Sequence, residues 1–197
     1  MAAGVVGGLM MLGIASTAGA DEVESDAVDV TVSISSLEPV GALTMTVAEN
    51  ATTLTEVTAA EGQRQFDGVL PTVTVTDDRP AAPEGVFWYV VGQSSAFTSA
   101  EGAEIPAANF GWTPHLLTPA PDGEVAEGPQ VGTVLDPAPD NVGLVGEELL
   151  SLALDSASAR PTGSWDANAD LVLKTPADVA PGDYSATITL TLWEDTY

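Results

Sequence analysis

The chain has no cysteine and a single histidine, and it sets four basic residues against 29 acidic ones. Without cysteine there is no disulfide framework, no thiol nucleophile and no thiolate metal ligand. Transition-metal centres built on His or Cys clusters are excluded by the same count. The lone His115, inside "GWTPHLL", has no nucleophile-elbow motif to serve, and glycine-rich phosphate cradles are missing. It reads as a partly buried structural residue rather than a base. Four cations cannot neutralise a phosphate polymer, so nucleic acid is excluded as a partner and anionic lipid is disfavoured. The acids are spread along the chain and give a formal charge of −25. They describe a solvated, self-repelling surface whose other consequence is attraction to cations or to a basic partner.

Charge is missing altogether from residues 1–20, "MAAGVVGGLMMLGIASTAGA". An apolar centre of about ten residues, small residues at the end and Ala18-Gly19-Ala20 fit a secretory signal peptide with its cleavage site. The run is too short and glycine-broken to cross a bilayer of roughly 30 Å. No Lys or Arg precedes it, which suggests a true start upstream of Met1. The expected organisation is a signal peptide (1–20), an acidic segment (21–27) and one domain (28–197), secreted and not inserted in a membrane. No lipid-attachment cysteine or sorting signal follows the last strand, so any surface retention is expected to be non-covalent.

Helical periodicity is nearly absent as well, whereas period-two alternation recurs. Val28, Val30, Val32 and Ile34 alternate with polar residues; "ALTMTV" (42–47) and "LPTVTVTD" (70–77) repeat the pattern. "VFWYVV" (86–91) is a continuous apolar run between Gly85 and Gly92, expected to be covered on both faces or at one end. "VGTVL" (131–135), "LLSLALD" (149–155), "DLVLKT" (170–175) and "YSATITLTLW" (184–193) complete the strands, with "VGEELLSLAL" also compatible with a helix. Residues 93–130 have weak periodicity and are expected to cross the face of the domain as a long excursion. Short strands separated by Pro, Gly, Asp and Asn turns predict an all-β fold, a single immunoglobulin-like or Greek-key β-sandwich with little or no helix.

Chemistry is sparse. With 29 acids, any two could be called a catalytic carboxylate pair, so the pattern carries no information. No cofactor is expected. Calcium is the one compatible ion, because it takes oxygen ligands alone; "DPAPDN" (136–141) and "SWDANAD" (164–170) place Asp and Asn at loop spacing without matching a defined calcium loop. Asn50-Ala51-Thr52 fits the glycosylation acceptor pattern. The tryptophans carry the remaining signal, since an exposed indole can stack on a sugar face. Trp88, in its apolar run, reads as core. Trp193 reads either as a strand-end cap or as a supporting aromatic, and Trp112, in turn-like "NFGWTPH", as the more exposed ring.

"LPTVTVTDDR", "GVFWYVVGQSSAFT", "IPAANFGWTP" and the closing "PGDYSATITLTLW" together resemble the WxL domain of Gram-positive cell-surface proteins, in its small stand-alone actinobacterial form. Asp77-Asp78-Arg79 matches the family's Asp-x-Arg, and Trp88-Tyr89-Val90 stands where Trp-x-Leu is expected, with Val90 replacing Leu. Tyr184-Ser185-Ala186-Thr187 matches the opening of the family's last strand. There the second Trp-x-Leu reads Leu190-Thr191-Leu192, and Trp193 stands just past it. The resemblance implies a non-catalytic β-rich domain held on the cell wall through peptidoglycan or wall glycan, with other surface proteins as possible partners. It also implies that Trp88 and Tyr89, supported by Trp112 and Trp193, contact the glycan. A structural or assembly subunit pairing through its strand edges is the alternative.

Overall fold

The computed structural model describes residues 41–197. The expected signal peptide, acidic segment and strand at 28–35 lie outside the described residues. Two antiparallel sheets face each other across one core. The larger contains β1 (Leu43–Val47), β2 (Thr55–Val57), β3 (Gln63–Asp77), β7 (Phe110–Leu116) and β10 (Ser164–Pro176), in the order β1-β3-β10-β7 with β2 also on β3. The second contains β4 (Val86–Ser94), β8 (Ala126–Glu127), β9 (Glu148–Ala153) and β12 (Ile188–Thr196), in the order β12-β4-β9-β8. A small sheet, β11-β5-β6, joins Tyr184–Ser185, Phe97–Ser99 and Glu104–Ile105. One short helix, α1 (Ser156–Ala159), is capped by Asp155, whose carboxylate accepts from the Ala157 amide. The fold is the all-β sandwich that the alternation predicts.

The two long strands show how the sequence sets its own register. Along β3 the inward residues are Leu70, Val73 and Val75, a spacing of three and then two. Between Leu70 and Val73 the pairing with β10 slips by one residue, since Val73 faces Ala167 while Leu70 faces Ala169. This bulge takes up one extra residue and keeps every apolar side chain on the core face. Pro71 falls at the irregularity, where a missing N–H is tolerated. A second bulge sits on β9, where Val90 faces Ser151 but Val91 faces Leu149. It buries Leu150 and Ser151 while leaving Leu149 and Leu152 on the other side.

Several expectations are corrected. Residues 93–130 are not a featureless excursion: they supply β5 to β8, with β7 hydrogen-bonded along β10. The turn-like composition of β7 has a local reason. The backbone nitrogens of Trp112, Pro114 and Leu116 lie on the side of the strand away from β10; the Trp112 N–H donates to Val131 O at 2.9 Å and the Leu116 N–H to a Glu127 carboxylate oxygen at 3.0 Å. Proline at 114 therefore removes no ladder bond. Gly111 is required because a Cβ there would lie 2.3 Å from Val131 O. "VGTVL" forms only the isolated Trp112–Val131 bridge, since Thr133 turns the chain by hydrogen bonding to Asp136. "YSATITLTLW" is two strands rather than one, β11 on β5 and β12 on β4. "SWDANAD" lies within strand β10 and is no loop.

The core is tightest where the sheets meet. Trp112 reaches from β7 to Gly92 on β4, so that a Cβ at 92 would lie 2.6 Å from its ring carbon Cη2. Gly92→Ala is expected to cost about 1–3 kcal/mol by overpacking. Gly146→Ala, with nothing within 4 Å of the new Cβ, should be nearly neutral; urea unfolding of both variants checks the contrast.

Candidate functional site

The Asp-x-Arg element at the end of β3 is an ion-pair clamp. Arg79 Nε and Nη2 donate to the two Asp77 carboxylate oxygens at 2.8 and 2.7 Å. Its Nη1 reaches Glu194 on β12 at 2.8 Å. Arg160 donates in turn to the Arg79 carbonyl at 3.3 Å. The bidentate fork is the geometry that only arginine supplies. Burial alone would raise the Asp77 carboxyl, but the hydrogen bonds and charge of Arg79, with Arg160 further off, outweigh it and hold the group below its ordinary value. Arg79 is pushed up, first by its bond to Asp77. The clamp thus ties the larger sheet to the edge strand of the second.

The two regions of the Trp-x-Leu pattern are direct partners. β12 runs antiparallel to β4 with Leu190 opposite Gly92, Leu192 opposite Val90, Trp193 opposite Tyr89 and Glu194 opposite Trp88. Opposed residues share a face. Trp88 and Val90 are therefore core, at 1% and 0% exposure. Leu190 and Leu192 pack against that core. Trp112 is also core, at 1% exposure, which overturns its expected role as the exposed ring. Its apparent turn is strand β7, and inward alternation of Phe110, Trp112 and Pro114 carries it inside. Trp165 is buried too and donates to Ala159 O at 3.0 Å.

Tyr89 and Trp193 are brought together on the outer face. Trp193, 44% exposed, faces Tyr89 across the ladder. The Tyr89 ring lies near-parallel to Phe87 at 5.8 Å between centroids, and Phe87 to Tyr197 at 6.1 Å. On the opposite flank Tyr89 faces Leu152, which faces Ala126. An apolar row thus crosses all four strands, and the aromatic rings turn along it towards Tyr197. Sequence reading missed Phe87 and Tyr197. The signal was available, because Phe87 and Tyr89 share a parity that Trp88 does not.

Other candidates resolve differently. Asp136 of the "DPAPDN" segment is held by Thr133 N and Oγ1 at 2.9 and 2.8 Å and by the Lys174 ammonium. Burial pushes its carboxyl up, and these bonds more than offset that, leaving it low. Among the described residues no three His, Asp or Glu side chains are grouped to hold a metal ion. His115 is half-exposed, with Nε2 at 3.0 Å from Asp170. A groove of about 560 Å³ opens between residues 52–54, β11 and the 179–183 turn, floored by Phe97, Phe110, Leu171 and Leu173. It is lined by the buried Thr175, whose hydroxyl has no partner.

No protein-family model and no characterised protein sequence matches the chain. Among solved structures, a family 123 glycoside hydrolase from Clostridium perfringens aligns with a TM-score of 0.33 at 15% identity, over 66% of this chain. The aligned part is 18% of that protein's length.

Arg79→Ala leaves the nearly buried Asp77 uncompensated, and a loss of about 3 kcal/mol is expected. Arg79→Lys should recover only part, because the fork is lost. Since the folded-state values of Asp77 and Asp136 are depressed, their contribution is complete above the ordinary aspartate value of 3.8 and lost as pH falls below it. Glu148 has the opposite sign: burial raises its carboxyl above 4.5. Glu148→Gln should therefore raise the Tm at neutral pH, and the gain should vanish once both states are protonated. Thermal melts across pH separate these effects.

Proposed function

We propose that this is a non-catalytic, secreted cell-surface module of the WxL type that binds peptidoglycan or wall glycan non-covalently through the outer face of its β12-β4-β9-β8 sheet. The observation that carries the reading is the row in which Trp193 faces Tyr89, continued by Phe87 and Tyr197. Large exposed rings fixed by a sheet offer π surfaces to the C–H faces of sugars at little entropic cost on binding, while the phenol and indole groups hydrogen-bond to hydroxyls. A contiguous apolar patch of this kind on an otherwise acidic surface marks a binding face. The contact residues are Tyr89, Trp193, Phe87 and Tyr197, and the two buried tryptophans that the pattern first suggested support the row from beneath.

A second reading has its own observation. Among the described residues β12 pairs only with β4, so a nine-residue edge is left without a strand partner. An extended segment of another surface protein could add there.

Retention of the mature protein on purified cell walls tests the first reading. Trp193→Ala and Tyr89→Ala should each shift most of the protein to the supernatant without changing the melting curve. Trp88→Ala should instead cost about 3–5 kcal/mol of stability. Wall retention unchanged in a Tyr89/Trp193 double-alanine variant would sink the proposal, and a stable oligomer that ignores the wall would favour the edge-pairing reading.

A further inference from the structure

The charges around the aromatic row limit what it can accept. The four strands of its sheet contain no lysine, arginine or histidine. Of their acids, Glu127, Glu148 and Glu194 stand opposite Ser151, Gly92 and Trp88 on the inward side, which leaves Asp195 as the charge of outer parity. Asp195 stands opposite Phe87 and so belongs to the same outer face as the rings. Its Oδ1 accepts the Thr196 amide at 2.7 Å, which orients the carboxylate, and Oδ2 has no partner among the described residues. Exposed Glu84 precedes β4, next to Gly85, whose carbonyl accepts the Tyr197 amide at 3.1 Å.

The cations that might counter these charges are committed elsewhere. All four lie within the described residues. Arg64 pairs with Glu56, Arg79 with Asp77 and Glu194, and Lys174 with Asp136, while Arg160 donates to the Arg79 carbonyl. A phosphate- or carboxylate-bearing polymer would meet the Asp195 carboxylate, which no cation pairs with among the described residues. An ammonium would meet both a carboxylate and the faces of Tyr89 and Trp193, through a charge-assisted hydrogen bond and a cation–π contact. The net charge of −25 would also draw a cationic polymer toward the protein, an attraction that salt screens beyond about 8 Å at physiological ionic strength.

We infer that the row selects glycan carrying free amino groups, glucosamine units of de-N-acetylated chains, over N-acetylated or anionic ones. The inference rests on the glycan-binding reading above and adds the sugar's charge to it. Titration of the full chain with glucosamine hexamer and with N-acetylglucosamine hexamer, at mildly acidic pH where the amines are protonated, tests it. The glucosamine oligomer should bind about tenfold more tightly, the worth of one hydrogen bond to a charged group. Asp195→Asn should remove most of that difference, and Trp193→Ala should weaken both oligomers. Equal affinities, or a preference for the acetylated oligomer, would overturn the inference and leave glycan binding standing. Binding of neither would overturn both. A lysine oligomer serves as the control for bulk charge. If it matches the glucosamine oligomer and both ignore Trp193→Ala, attraction to the acidic surface explains the binding and the selectivity is refuted.

Discussion

The antiparallel register between β4 and β12 governs both what the sandwich buries and what it shows. With Trp193 opposite Tyr89, one face of the pair holds Trp88, Val90, Leu190 and Leu192 against the core, and the other holds Phe87, Tyr89 and Trp193 outside. Side chains alternate with a period of two, so a slip by one residue would bury the display rings and expose the core. Three features oppose that slip. The Arg79–Glu194 ion pair fixes one point of the strand, the Tyr197 amide is held by Gly85 O, and Trp112 occupies the space beside Gly92.

Alternation made much of the fold legible. "LTMTV" and the second half of β3 could be read directly, because a half-buried strand writes its two faces into the sequence. β7 could not, since "FGWTPHL" carries glycine and proline for reasons outside the strand itself. Gly111 is set by the approach of Val131, and Pro114 by an N–H direction that needs no ladder partner. Similarly, nothing local in "YSATITLTLW" shows that the chain leaves one sheet for another after Ser185. The candidate site was half legible. Tyr89 was named through the family resemblance and Trp193 as an aromatic, but Trp88 and Trp112 were separated from them only by strand parity and by the identity of the strand that carries them.

The few cations are placed where they stabilise the fold rather than where they would shape the surface. Arg79 is only 15% exposed at its side chain and its Asp77 partner 5%, so their attraction is poorly screened and removing either partner leaves a buried charge. Arg64 with Glu56 is much more exposed and contributes little by comparison. The consequence is a division of labour: clamps inside the structure use the basic residues, and the surface is left to carboxylates. This gives the outer aromatic face its electrostatic character without any acidic cluster being built there.

The same packing bears on one of the two departures from the resembling motif, leucine rather than tryptophan at position 190. A tryptophan at position 190 would lie opposite Gly92 on the inner face, beside the Trp112 ring that already lies close against Gly92. Position 193 is three residues further on and has the opposite parity, so a tryptophan there points outward beside Tyr89. In this chain the leucine at 190 and the tryptophan at 193 therefore sit on opposite faces of β12. Trp112 of β7 packs into the core, and the indole of Trp193 on the last strand is available on the surface.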